Sequence, residues 1–123
     1  MREARLIAAA AALAALLAAP ARAADPEHGR ELFRACAACH AEPPAGNALG
    51  PSLKGVVGRK AASLEDFRYS PAMRRSGLVW DEAALRDYIA DPQGTVKGNR
   101  MPFAGVKDAS AAADIVAYLK TLN

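Results

Sequence analysis

The stretch CAACHAEPPAGNALGPSLKG, residues 36–55, sets the chain's only two cysteines three positions apart and places His40 directly after the second. Two thiols at that spacing can close a redox disulfide, hold half of a zinc site, or add across the two vinyl groups of a haem. Zinc would normally need two further thiolates or imidazoles, and the only other histidine is His28 on the preceding segment. A thioredoxin-like pair belongs at the start of a helix beside a strand, whereas these cysteines follow helical patterning with no strand pattern near them. Only the haem reading uses the adjacent histidine. Thioether bonds at Cys36 and Cys39 would set the porphyrin edge beside His40, whose ring nitrogen becomes the proximal iron ligand. The other ring N–H then needs an acceptor that fixes tautomer and direction, and a carbonyl of the loop from Gly50 to Leu53 can serve, Pro51 first among them.

Outward from that motif, length sets the frame. The chain has 123 residues, enough for one domain and too few for a substrate-binding fold beside a cofactor fold. Residues 1–23 read as a cleaved secretory signal peptide: Arg2 and Arg5 precede the apolar run LIAAAAALAALLAAP, and Ala21, Arg22 and Ala23 form a small-residue cleavage pattern. Cleavage after Ala23 is favoured over Ala24. An uncleaved anchor is the alternative, but residues 6–19 fall short of the roughly 20 apolar residues that a spanning helix needs. The domain is residues 24–123. Removing the leader takes away Arg2, Arg5, Arg22 and Glu3, so 13 basic and 12 acidic side chains remain and the formal charge falls from +3 to +1. The basic balance therefore owes much to the leader and does not imply nucleic acid. A mature domain of this size is marginal on its own core, and a prosthetic group would supply the missing filler.

The periodicity predicts an all-α fold with loops of unusual weight. Asp25 and Pro26 open a short helix that runs through Gly29, Leu32 and Phe33 toward Cys36. Asp81 caps a second helix bearing Leu85, Tyr88 and Ile89, which Pro92 stops after Asp91. Asp108 or Ser110 caps the last, whose buried side is Ala111, Ile115, Tyr118, Leu119 and Leu122. Residues 93–107 have no regular period, and Val56-Val57 is cut short by glycines before it can form a strand. Gly29 is expected to let the first helix cross the last closely, against Ile115 or Tyr118.

A distal ligand on the iron face opposite His40 has two candidates in the mature chain, Met73 and Met101. Met101 lies in the irregular segment that is free to wrap a porphyrin and is the better choice; as a core filler it would be an ordinary methionine. Trp80, Tyr69 and Tyr88 can each bury an aromatic body and spend one polar hydrogen on the haem or its propionates. Arg59 can neutralise a buried propionate, or sit as a solvated surface arginine.

CAACH, GPSLKGVVGRK, FRYSPAM, SGLVWDEAALRDYIADP, GNRMPFAGVKD and DIVAYLK, in that order, are similar to the class I cytochrome c family, especially mitochondrial cytochrome c and bacterial short-chain periplasmic carriers. The likeness covers roughly residues 27–122. It implies that the first and last helices cross and that loops wrap one covalent haem c. It implies thioether links at Cys36 and Cys39, axial ligands His40 and Met101, and a Pro51 carbonyl accepting from His40. Further implied are contacts of Tyr69 and Trp80 with the inner propionate, with Arg59 close by, an approach of Tyr88 to the Met101 sulfur, and a shield of the exposed haem edge by Phe103. Departures are Phe33 three rather than four residues before Cys36, Met73 for a polar amide, Lys97 for a proline and Asn99 for a threonine. Ala35, Gln93 and Gly94 take the places of edge lysines, while Arg100 and Lys107 keep positive charge.

The function so implied is not enzymatic. It is that of a monomeric, soluble periplasmic one-electron carrier, taking electrons from a quinol-oxidising complex or periplasmic dehydrogenase to a terminal oxidase or similar acceptor, with no small-molecule substrate pocket and no nucleic acid. The alternatives are a dedicated haem subunit or docking module of one respiratory or dehydrogenase complex, and a haem enzyme or sensor in which Met101 leaves the iron.

Overall fold

The computed structural model describes residues 22–41 and 49–123. The leader assigned to residues 1–23 lies outside the described residues apart from Arg22 and Ala23.

Among the described residues six helices follow one another: α1 Pro26–Leu32, α2 Arg34–Ala37, α3 Pro71–Arg75, α4 Glu82–Ala90, α5 Pro92–Thr95 and α6 Ala109–Leu119. Capping explains where most of them begin. The Asp25 carboxylate accepts the N–H groups of Glu27 and His28 at 2.9 and 3.2 Å, with Pro26 inside the first turn. Asp81 accepts from Ala84 N–H at 2.8 Å, and Asp108 from Ala111 N–H at 3.1 Å, so Asp108 rather than Ser110 is the last cap. Two short helices were not foreseen. Ser70 and Pro71 start α3, and Asp91 and Pro92 start α5 within the segment expected to be irregular. Pro92 ends one helix by lacking an N–H and opens the next for the same reason.

No strand forms among the described residues. An isolated antiparallel bridge joins Lys60 to Val79. Beside it the Trp80 N–H donates to the Arg59 carbonyl at 2.8 Å and the Gly58 N–H to the Trp80 carbonyl at 2.7 Å, which pins the 55–60 loop to the start of α4.

α1 packs chiefly on α6, and α4 packs on α6 from another side. Gly29 is the point of closest approach. A Cβ there would sit 2.5 Å from the Asp114 carbonyl carbon and 3.0 Å from Tyr118 Cβ, so the crossing is made against Asp114 and Tyr118 rather than Ile115. The rings of Phe33 and Tyr118 meet across it at 5.1 Å. Phe33, Val56, Trp80, Leu85, Ile115 and Leu119 are central to the buried core. The buried side of α6 includes Ala112, Asp114 and Val116, while Ala111, Tyr118 and Leu122 are half-buried.

Asp114 is the surprise of that face, a carboxylate 4% exposed on an apolar helix. Its oxygens accept from Asp25 N–H at 2.7 Å and meet His28 Nδ1 at 2.7 Å, with the Arg22 guanidinium at 3.5 Å. Those partners tie the start of α1 to the middle of α6 across 86–89 residues of chain. The hydrogen bonds from Asp25 and His28 hold the Asp114 carboxyl below the usual carboxylate range.

Two outcomes follow from the crossing. Gly29→Val should lower unfolding free energy by about 1–3 kcal/mol, the usual cost of overpacking, in denaturant titration. A carboxyl whose folded value is depressed contributes stability above its unfolded value and loses it as pH falls through the folded one. Asp114→Asn should therefore be less stable than the parent at pH 7, and the difference should shrink once both are titrated well below the carboxylate range.

Candidate functional site

Cys36 lies in the last turn of α2, and the backbone continues its turn so that the N–H groups of Cys39 and His40 donate to the Cys36 carbonyl at 3.0 and 2.9 Å. The helix end thus presents both sulfurs and the imidazole from one short stretch. The two cysteines are half-buried and unbridged. Burial, then the neighbouring Cys39, pushes the Cys36 thiol up. A redox-active pair needs the opposite shift, so the local electrostatics disfavour the disulfide-exchange reading.

His40 Nδ1 lies 2.8 Å from the Pro51 carbonyl. A carbonyl only accepts, so Nδ1 carries the proton and Nε2 keeps its lone pair for a metal. The ring rests against Gly50, where a Cβ would lie 2.6 Å from His40 Cε1 and 2.7 Å from Nδ1. Gly50 is in turn held by its N–H, which donates to the Cys39 carbonyl at 3.0 Å. Glycine at 50 and the carbonyl at 51 together seat the ring, since any Cβ at 50 would collide with it.

Arg59 stands behind that seat. Its Nη2 donates to the Ser52 carbonyl at 2.8 Å and its Nη1 to the Lys54 carbonyl at 3.1 Å. The guanidinium expected beside a propionate also braces the loop that carries Pro51. Such a brace was not legible from charge, because its acceptors are backbone atoms.

The aromatic residues fall into two groups. Trp80 is buried and its ring centroid lies 5.0 Å from that of Tyr88, tilted by 52°. Burial raises the Tyr88 hydroxyl to about 12, so it is a neutral donor at any working pH. Tyr69 packs edge-on against Phe67 at 5.0 Å and its hydroxyl accepts from Leu64 N–H at 3.4 Å. No direct hydrogen bond joins Tyr69 to Trp80 or Tyr88 to Met101 among the described residues.

The two methionines differ in setting. Met73 is 8% exposed inside α3, its N–H held by Ser70 Oγ at 3.0 Å and its carbonyl by Ser76 Oγ at 2.8 Å. Met101 is half-buried on an extended loop after α5, with the Phe103 N–H donating to its carbonyl at 2.9 Å. A loop position is the one from which a thioether can be carried over a flat cofactor.

The donor set suits a metal that arrives with most of its own ligands. Among the described residues no three of His, Cys, Asp and Glu gather as a metal cluster. One oriented imidazole, two unbridged thiols three positions apart and an apolar core around them fit a haem held by thioether bonds.

These features define a small all-helical haem protein. The cytochrome c family model matches residues 26–123, and the chain belongs to the cytochrome c family, haem-binding proteins of electron transport that carry one covalently bound haem c. Cytochrome c2 of Blastochloris viridis is 43% identical over 106 residues, 85% of this chain and 84% of the relative. Cytochrome c2 iso-2 of Magnetospirillum fulvum is 49% identical over 90 residues, 73% of this chain and 94% of the relative. Cytochrome cH from Methylobacterium extorquens has a solved structure that superposes with a TM-score of 0.74 at 44% identity, covering 79% of this chain and 98% of that one. The cytochrome c2 relatives support an electron carrier, and no described helix is long and apolar enough to cross a membrane.

Gly50→Val should push the His40 ring off the Pro51 carbonyl. The expected result is a mixed-spin rather than a single low-spin absorption spectrum in the haem-loaded protein, with stability lowered by about 1–3 kcal/mol in denaturant titration.

Proposed function

We propose that the protein is a periplasmic one-electron carrier in which Cys36 and Cys39 anchor haem c and His40 and Met101 are the axial ligands. The observation that carries this is the His40 ring, held by Pro51 with its Nε2 lone pair directed away from that bond. The haem supplies the electron chemistry through its ferric and ferrous states. Every remaining task falls to side chains that need not move protons or bind a substrate.

His40, made a stronger donor by its bond to Pro51, ligates one face. Met101 gives the other face a soft thioether, which tolerates ferrous iron well and raises the potential relative to two nitrogen ligands. With both faces ligated, the electron changes the charge of the site with little rearrangement of the chain. Trp80 and Tyr88 keep the interior dry on the side of α4, and their polar hydrogens can serve a propionate or the sulfur. Phe103 shields the edge through which the electron crosses. Arg59 lies close to the inner propionate and also braces the 52–54 backbone.

Among the described residues Leu49 and Val79 are the exposed large hydrophobics, while Arg100 and Lys107 are exposed cations close to the Met101 loop. Exposed cations beside Met101 in the chain suit brief docking to an acidic face of a redox partner better than a permanent subunit contact, which would be richer in apolar area. The donor is a membrane quinol-oxidising complex or a periplasmic dehydrogenase, the acceptor a terminal oxidase or similar protein, and the carrier a monomer freed of residues 1–23.

The ferric protein at neutral pH should show the weak methionine-sulfur charge-transfer band at the red edge of its spectrum, and Met101→Ala should abolish it. Met73→Leu should leave it in place. Carbon monoxide or azide binding by the native protein as readily as by Met101→Ala would overturn the ligand assignment and favour a sensor or haem enzyme.

A further inference from the structure

Asn99 occupies a position that its sequence neighbours do not explain. It is polar, 7% exposed, and lies on a loop two residues before Met101. Both polar atoms of its side chain are bonded. Nδ2 donates to the Pro92 carbonyl at 2.9 Å and to the Val96 carbonyl at 2.9 Å, while Oδ1 accepts from Met101 N–H at 2.9 Å. Only one orientation of the amide satisfies two acceptors and one donor, so nitrogen and oxygen are assigned without ambiguity.

Gln93 adds an outer tie. Its Nε2 donates to the Asn99 carbonyl at 2.9 Å and its Oε1 accepts from Gly98 N–H at 3.1 Å. Gly98 takes φ +90°, the left-handed turn that returns Asn99 toward α5. α5 is itself seated on α4 by Thr95 Oγ1, which donates to the Asp87 carbonyl at 3.0 Å, and is capped by Asp91. The N–H of Met101 is therefore linked through one buried amide to a helix that is fixed at both ends.

We infer that Asn99 is the positioning residue of the distal ligand, a buried clamp that holds the Met101 thioether in place whichever redox state the site is in, with Gln93 as its outer support. This rests on Met101 being the distal ligand and adds what keeps it there. A thioether bonds ferric iron weakly, so in that state the loop geometry, more than the bond, decides whether Met101 stays. Removing the clamp takes the partner from the Met101 N–H and the second donor from the Pro92 and Val96 carbonyls, which then keep only the Val96 and Asn99 N–H groups, and this favours opening of the loop. The effect falls on the oxidised form first, and the potential drops because the ferrous form keeps its sulfur.

The test uses the haem-loaded protein and measures how fast imidazole displaces the ligand from the ferric form, together with the charge-transfer band and the midpoint potential. Asn99→Ala should raise the displacement rate by roughly tenfold or more and lower the potential, with the ferrous spectrum unchanged. Asn99→Asp, which keeps an acceptor for Met101 N–H but sets a carboxylate against two carbonyls, should shift both in the same direction. Gln93→Ala leaves Asn99 intact and should give a smaller rise; it decides the matter if the Asn99 variants do not fold. Folded variants whose displacement rate and potential match the parent would overturn the inference, even if they melt at lower temperature. A parent protein that lacks the methionine band would instead overturn the ligand assignment on which the clamp rests.

Discussion

The bond between His40 Nδ1–H and the Pro51 carbonyl is the constraint around which the rest is arranged. It chooses the tautomer, aims the free nitrogen, and does so between residues 11 apart in the chain. Each neighbouring feature serves it. Gly50 leaves room for the ring, the turn from Cys36 to His40 sets the imidazole beside both sulfurs, and Arg59 holds the carbonyls that follow Pro51. The α1–α6 crossing at Gly29 and Asp114 in turn anchors the helix pair from which that turn departs.

Around Met101 the logic is different. Residues 96–101 have no helix of their own to hold Met101, and side-chain amides take over the work of a backbone ladder. Asn99 gives the Pro92 and Val96 carbonyls a second donor and holds the Met101 N–H, while Gln93 ties the Asn99 carbonyl and the Gly98 N–H of the loop that follows α5. The segment proposed for the proximal ligand is thus packed at a glycine, and the one proposed for the distal ligand is tied by a buried asparagine and an exposed glutamine, two solutions to the need for a site that changes little with charge.

Much of this was legible in the sequence, and the failures have physical causes. CAACH carries its chemistry in five adjacent positions, so no long-range information is needed. Helices α1, α4 and α6 declare themselves by Asp caps, proline and apolar period. α3 and α5, at five and four residues, are too short for a period to register, although Ser70-Pro71 and Asp91-Pro92 are the start signals that mark them. Missing α5 hid the role of Asn99, because its two acceptors exist only at that helix. Asp114 reads as a solvated residue in an alanine-rich helix until Asp25 and His28 are brought to it. The bonds of Arg59 to the Ser52 and Lys54 carbonyls could not be read from its charge, because they depend on how the loop folds.

The most direct measurement is the ring of His40 itself in the reduced, haem-loaded protein, followed by nuclear magnetic resonance with labelled histidine. The account predicts a protonated Nδ1 whose hydrogen exchanges far more slowly than that of the partly exposed His28, in a protein with Nε2 on iron. A His40 ring with Nδ1 unprotonated, or with a hydrogen exchanging as fast as that of His28, would contradict it.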